Sequence, residues 1–438
     1  MFNTKTLTAW AAAVIAVITL ASCNLLSGDK SETRYAAVKL VDSDRWSIVD
    51  VNSGEIIHRD EFKNQPSAIV GDKFCVQNDE GLYDYFSVDN VTKPINKESY
   101  VSASAFSENG IAVATPKGKA INVINDKCET IATLNSSIKI ASNFVNGYAI
   151  IVTTDNKFGF INEKGEIVVK PTYDSCYSFF SEDGIAIMAQ YTGGLDAPAT
   201  NLVAVDTSGK VLFSTKGYTG CSQFVNGYLI AADSSDNAFV LDKTGKRVCT
   251  IGAWNYSSML QYLGVYDNMV VFQQEDSYGL KDLNGETVIR AKYDRLLPYN
   301  ALFDKKGKHQ DLYLAEKDDK WGVINNKDEV IISFREGEII PINSDNLLAG
   351  KSPSFSIIDL DGKDVCRENF SDVGVTTNAR VSFAMSDVSG DASRAIEAEK
   401  SGVDYDTLAD TTEAAVVDTD MVMDTMMVVD TPTTYSEY

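Results

Sequence analysis

Apolar residues along the chain fall in short runs separated by polar turn clusters, and the alternation has a long period. An Asp or Asn closes an apolar, aromatic-led segment at Asp50, Asp89, Asn125, Asn162, Asp206, Asp242, Asp282, Asn325 and Asp359, at intervals of 34 to 44 residues. Within one period, Phe158 to Ile161 and Glu166 to Val169 are rich in branched and aromatic residues, which suits strands. The intervening Asn162-Glu163-Lys164-Gly165 has turn chemistry. An Asn or Asp in the first position accepts from backbone two residues on, and Gly in the fourth tolerates positive φ. The same Asp/Asn-x-x-Gly spacing recurs at Asp206/Gly209, Asp242/Gly245, Asp282/Gly285 and Asp359/Gly362, with Gly54 one place later. Each predicts a β-hairpin.

A second signature follows each hairpin: Phe106/Gly110, Phe144/Gly147, Phe180/Gly184, Phe224/Gly227 and Phe370/Gly374. Four of these lead into apolar residues such as Ile111-Ala112-Val113 or Tyr148-Ala149-Ile150. The Phe fits a wedge between units and the Gly a tight turn into the next strand. Each unit therefore reads as three or four antiparallel strands in sequence order, a meander that cannot bury its own apolar face and must stack on its neighbours. The predicted class is an all-β repeat protein. A β-propeller of 7–9 blades is favoured over an open β-solenoid, because the incomplete first and last units suit one blade built jointly by both ends. The repeat domain is expected over 34–385. Insertions at Thr192 to Asn201 and Asn300 to Asp311 are expected as surface loops suited to ligand contact.

The units resemble a known family. Lys157-Phe158-Gly159-Phe160-Ile161-Asn162, Ser277-Tyr278-Gly279-Leu280-Lys281-Asp282 and Lys320-Trp321-Gly322-Val323-Ile324-Asn325 look like the WG-containing repeat of bacterial envelope and secreted proteins. The further pattern of a turn Gly, Ile-Val and Pro-x-Tyr-Asp is matched by Gly165, Ile167-Val168 and Pro171-Thr172-Tyr173-Asp174, and less fully by Gly285, Val288-Ile289 and Lys292-Tyr293-Asp294. Trp46-Ser47 and Phe355-Ser356 depart from it, as do the units at Asp89, Asn125, Asp206 and Asp242. The resemblance implies an all-β interaction repeat with no shared catalytic residues. Trp46, Phe158, Gly159, Gly165, Gly209, Gly245, Tyr278, Gly279, Gly285, Trp321, Gly322 and Gly362 are expected to be structural.

The two ends differ from the body. Lys5 and a mostly apolar run from Leu7 to Ala21 read as an export signal over 1–22, since the run is short for a bilayer core of about 30 Å. Leu20-Ala21-Ser22-Cys23 resembles a bacterial lipobox, which makes Cys23 the expected lipidation site; an ordinary secretory signal with an incidental Cys is the alternative. Two or more acyl chains on Cys23 give stable membrane attachment, and 23–33 reads as the lipidated Cys and a tether. The expected location is the envelope of a bacterium at the outer membrane, with the periplasmic or surface side left open. From Ser386 to Tyr438 there are 13 acidic and 2 basic residues and no Phe or Trp, so 386–438 reads as a disordered acidic tail. Asp406-Thr407-Leu408, Asp410-Thr411-Thr412 and Asp424-Thr425-Met426 within it resemble an Asp-Thr-apolar O-glycosylation pattern.

Charge and residue inventory narrow the chemistry. A net charge of −23 disfavours nucleic acid and anionic lipid surfaces, which need a basic patch to release counterions. After Cys23 the cysteines are Cys75, Cys128, Cys176, Cys221, Cys249 and Cys366, one at a time in different repeats. Free buried thiols are therefore favoured over disulfides, and no CxxC pair points to zinc. Only His58 and His309 are available for a Ser/His/Asp or Cys/His device, one in a strand and one in a basic loop. Asp359, Asp361 and Asp364 lack the sixth-position Gly and closing Glu of an EF-hand and coincide with a turn. No metal, cofactor or catalytic set is expected. Tyr191, Trp254, Tyr256 and Tyr299 are aromatics able to stack on a sugar. The expected function is a lipid-anchored binding scaffold for a protein or glycan, without catalysis. The alternative is a glycan-active propeller enzyme using two carboxylates, which needs acids about 5 to 9.5 Å apart in one cleft.

Overall fold

The computed structural model describes residues 33–192, 199–215, 217–235, 237–253, 264–301, 308–374, 382–390, 392–394 and 396–397. Cys23, the signal, the tether as far as Glu32, Trp254, Tyr256, the three Asp-Thr sites and most of the acidic tail lie outside these residues.

The unit at Asn162 sets the pattern. Its four strands, Ile138–Ser142, Tyr148–Thr153, Phe158–Asn162 and Ile167–Tyr173, pair antiparallel in chain order. The second strand is buried almost throughout, whereas the fourth alternates exposed and buried residues. A strand covered on both faces reads as a continuous apolar run, and one at the rim alternates. The first two strands therefore lie toward the centre of the assembly and the fourth at its edge.

Nine units succeed one another among the described residues, one for each Asp/Asn turn position, with only two strands described at Asp89 and three at Asp282. Their buried residues form clusters that each join successive units. Phe106 lies between units 2 and 3, Phe144 between 3 and 4, Phe180 between 4 and 5, and Phe224 between 5 and 6, so the expected wedge role holds. One cluster links units 6, 7 and 8, and another links 8 and 9. The series returns to its start. Phe370–Val373 pairs with Tyr35–Leu40, setting Val38 opposite Val373, and Ala36, Val38, Ile357 and Phe370 share one core between units 9 and 1. Unit 1 is thus completed by both ends of the repeat domain, and the ring replaces the open solenoid.

Three expectations change. Gly374 does not turn the chain into a following strand of its own unit; its N–H donates to the Ala37 carbonyl at 2.7 Å, because Phe370–Val373 serves unit 1. Tyr299 is fully buried and its hydroxyl lies 3.4 Å from the Ser344 carbonyl, which removes it as a sugar platform; Tyr191 remains exposed. The boundary at 385/386 falls inside a docked segment, since Asp387 is fully buried and its N–H donates to the Lys119 carbonyl. Among the described residues no helix is long and apolar enough to cross a membrane.

Candidate functional site

An antiparallel meander sends its connections alternately to two faces of the ring. One face carries the third-to-fourth strand turns with the first-to-second strand loops. The other carries the second-to-third strand loops and the links between units.

On the first face the Asp/Asn turns are built as the sequence implies. Asn162 Oδ1 accepts from the Lys164 and Glu166 N–H groups, both at 3.0 Å, and the Gly165 N–H closes on the Asn162 carbonyl at 2.8 Å with φ of 77°. The side chain thus satisfies backbone donors that the hairpin leaves open. Asp206, Asp242 and Asp282 repeat the arrangement. Their carboxylates are held below the ordinary range, first by the Ser208 hydroxyl, the Thr244 hydroxyl and the Glu286 N–H respectively. The turn glycines also lean on the preceding unit. A Cβ on Gly165 would stand 2.8 Å from Ala132 Cβ, on Gly209 2.8 Å from the Val168 oxygen, and on Gly245 2.7 Å from the Phe213 ring; on Gly362 it would stand 3.0 Å from an Arg335 nitrogen. Gly285 meets only the Cys249 sulfur, at 3.8 Å.

The aromatic-Gly column is internal. Trp46, Phe158 and Tyr278 are buried in clusters shared with adjoining units, and Trp321 is half-buried against the core between units 8 and 9. Gly159 and Gly279 sit where the fourth strand bulges toward the third. A Cβ there would lie 2.4 Å from the Val169 or Ile289 carbonyl oxygen, and at Gly322 2.8 Å from that of Ile332. The column therefore forms strand packing and presents no exposed platform.

One further column escaped the sequence reading. Ser67, Ser104, Ser142, Ser178 and Ser222 each stand two residues before a buried apolar residue and accept an N–H from the second strand, that of Ile150 at 2.9 Å in the case of Ser142. The signal was present as Ser-x-Phe in four units. The Asp of Tyr-Asp, already part of the sequence pattern, joins neighbouring units. Asp174 accepts the Tyr191 N–H at 2.7 Å and pairs with Lys157 at 2.6 Å, and Asp294 accepts the Asp318 N–H at 2.7 Å, so each ties its unit to the next.

The second insertion is the best-defined loop contact on the turn face. Asn226 of unit 6 donates to Gln310 at 2.9 Å, while Lys308 lies 3.1 Å and His309 3.4 Å from Asp345 of unit 9. The loop following Asn300 therefore bridges the first-to-second loops of three units. Residues 302–307 and 193–198, the centres of both insertions, lie outside the described residues.

On the opposite face Glu316 stands apart among the carboxylates. Burial raises it above the ordinary range, Arg295 at 3.2 Å opposes the shift, and Asp294 and Asp319 add to it. His58 is engaged at 2.6 Å with the Val88 carbonyl. Cys75, Cys128, Cys176, Cys221, Cys249 and Cys366 are free thiols, and burial pushes Cys75 up to about 11 and Cys128 to about 12, which favours the neutral thiol at these two positions. Among the described residues no group of three or more His, Cys, Asp or Glu is placed to hold a metal ion.

This geometry defines an all-β repeat protein, a ring of antiparallel meanders of the propeller class. The family model for the WG containing repeat matches residues 158–190 and 278–308, so the chain contains WG repeats at these two stretches. No curated protein matches it in sequence. Among solved structures it is similar to the computationally designed Ika8 protein, at 13% identity and a TM-score of 0.39, covering 70% of this chain and 96% of that one. It is also similar to BamB from Moraxella catarrhalis, at 12% identity and a TM-score of 0.36, covering 68% of this chain and 89% of that one. A eukaryotic initiation factor gives 10% identity and a TM-score of 0.44, covering 82% and 98%. The fold is defined by the pairing and packing above rather than by these distant likenesses.

Proposed function

We propose that the protein is a non-catalytic, lipid-anchored scaffold of the bacterial envelope, held at the outer membrane through Cys23 and presenting a rigid ring surface to a protein or glycan. The observation that supports this reading is the division of the ring between two faces. The described chain begins on the turn face, where Asn343 of unit 9 donates to the Thr33 carbonyl at 2.9 Å. Its last described residues lie against the opposite face, where Lys117 in the second-to-third loop of unit 3 stands 3.7 Å from Glu397. About 11 residues separate Cys23 from Arg34, a reach of at most roughly 40 Å. An anchor at Cys23 therefore brings the turn face toward the bilayer and leaves the opposite face open to a partner. The absence of catalysis is part of the proposal; it is consistent with Glu316 being paired to Arg295 and with the turn acids serving their own backbone.

The experiment is Cys23→Ala, followed by membrane fractionation and metabolic labelling with a fatty-acid analogue. The expected result is loss of label with an unprocessed or soluble product. Unchanged lipid labelling in the variant would sink the anchor.

A further inference from the structure

The chain continues past the closure of its ring. Phe370–Val373 completes unit 1, and the next described stretch, from Ser382, lies against units 3 and 4. There Phe383–Met385 adds to Ile138–Ser142, the first strand of unit 4, as a fifth antiparallel strand, setting Ile140 opposite Met385, Ala141 opposite Ala384 and Ser142 opposite Phe383.

Both neighbouring units grip the segment. The Ser382 N–H donates to Asn143 Oδ1 at 3.0 Å, and the Asn143 N–H donates back to the Ser382 carbonyl at 2.6 Å. From unit 3, the Ala105 N–H donates to the Ser382 hydroxyl at 2.7 Å, and the Met385 N–H donates to the Ser102 hydroxyl at 3.0 Å. Past the strand, the Ser386 N–H reaches the Lys139 carbonyl at 2.8 Å and the Asp387 N–H the Lys119 carbonyl at 2.9 Å. The fully buried Asp387 carboxylate accepts the Gly118 N–H at 2.6 Å, the Ser393 hydroxyl at 2.7 Å and the Ser393 N–H at 3.1 Å.

The segment is an addition to the ring rather than one of its units. Unit 1 is already closed before it begins, and among the described residues the first strands of units 3, 5, 6 and 8 carry no strand on that edge. Its hold is main-chain hydrogen bonding plus one buried acidic anchor, the mode by which extended peptides add to a sheet edge. Its apolar residues also pack: Ala384 is buried in the core between units 3 and 4, while Phe383 and Met385 are half-buried against the core between units 4 and 5.

We propose that the edge between units 3 and 4 is a peptide-binding groove for an extended segment of alternating apolar and small residues ending in a buried aspartate, and that Ser382 to Asp387 occupy it in cis as an exchangeable ligand. Asn143 and Ser102 orient the incoming backbone. The Gly118 N–H selects the carboxylate.

The test uses the full-length chain carrying Ala384→Lys and Asp387→Lys together, so that its own segment is driven out of the groove. A fluorescein-labelled synthetic peptide of residues 382–397 is titrated and read by anisotropy, with hydrogen exchange reporting protection of the native segment. The expected result is saturable binding to the double variant, at least about tenfold weaker apparent binding to the unmodified chain, whose own segment competes, and at least about tenfold loss when the peptide carries Asp387→Ala. Failure of the peptide to bind a variant that melts like the parent would overturn the proposal. So would undiminished protection of the substituted segment, or a ring that no longer folds, since either would make 382–397 an integral part of the fold.

Discussion

Unit 4 contains two glycines that are required for different physical reasons, and alanine at each should have a different cost. Gly147 turns the first strand into the second at a φ of 81°, and a Cβ there meets nothing within 4 Å. Gly147→Ala therefore incurs only the left-handed backbone penalty, about 1 to 2 kcal/mol. Gly159 has no such φ, but its Cβ would lie 2.4 Å from the Val169 oxygen, 2.8 Å from the Pro171 nitrogen and 2.9 Å from Pro171 Cα. A carbon and a carbonyl oxygen sit no closer than about 3.3 Å in ordinary strand contacts, so the fourth strand must retreat by roughly 0.9 Å. All three atoms are backbone, fixed by the pairs Phe158 with Tyr173 and Phe160 with Val169, so no side chain can swing aside. Gly159→Ala should cost about 2 to 4 kcal/mol. Urea denaturation with intrinsic fluorescence, compared at equal m-value, measures both. Equal costs, or a larger cost for Gly147→Ala, would show that the glycine of the aromatic-Gly pair is not set by the approach of the fourth strand.

The aromatic column should grade by burial. Trp46→Ala empties a site only 4% exposed and should cost about 3 to 5 kcal/mol, whereas Trp321→Ala, half-buried, should cost about 1 to 3 kcal/mol; an intact fold with lost partner capture for Trp321→Ala would instead make the column a ligand surface. The turn acids should make the ring acid-sensitive. Because the folded Asp242 carboxylate is depressed, first by the Thr244 hydroxyl, its contribution is present above the unfolded value near 3.9 and lost as pH falls through the folded one. Asp242→Asn keeps the acceptor without the titration, so its melting midpoint should fall less than that of the parent between about pH 5 and about pH 3; identical slopes would remove the turn acid from the account.

Much of the fold was legible because its information is local. A turn Asp or Asn accepting two N–H groups, as Asn162 does, needs only the residues within the hairpin, and period-2 burial in Ile167–Tyr173 follows from one exposed side. Closure was inferred from incomplete ends, and the pairing of Phe370–Val373 with Tyr35–Leu40 follows from it. The groove between units 3 and 4 was not legible. Its ligand lies more than 200 residues from Asn143 in sequence, and the acidic composition of 386–438 hid a buried Asp387 whose partners are backbone N–H groups and one serine. Composition reports average solvation, and an aspartate satisfied by main-chain donors leaves no compositional trace. The serine column was missed because hydroxyls accepting from a neighbouring strand read like any polar residue.

Unit 1 explains how the signature can fade while the geometry persists. There Trp46-Ser47 stands where other units have an aromatic and glycine, and a side chain occupies the position that Gly159 leaves empty. The pairing still shifts register between Trp46 and Ile48, as it does between Phe158 and Phe160. The facing strand differs, however. Asp60 adopts a φ of 53°, and its N–H donates to the Ser47 hydroxyl at 2.8 Å, so the side chain that would obstruct a carbonyl serves as an acceptor for an amide. What the repeat retains is the bulge that bends the fourth strand around the third; glycine is one solution to the crowding and a hydrogen-bonding serine is another. The family match at 158–190 and 278–308 falls on units with an aromatic-Gly pair, while the packing that depends on the bulge extends to unit 1, which has Trp46-Ser47 instead.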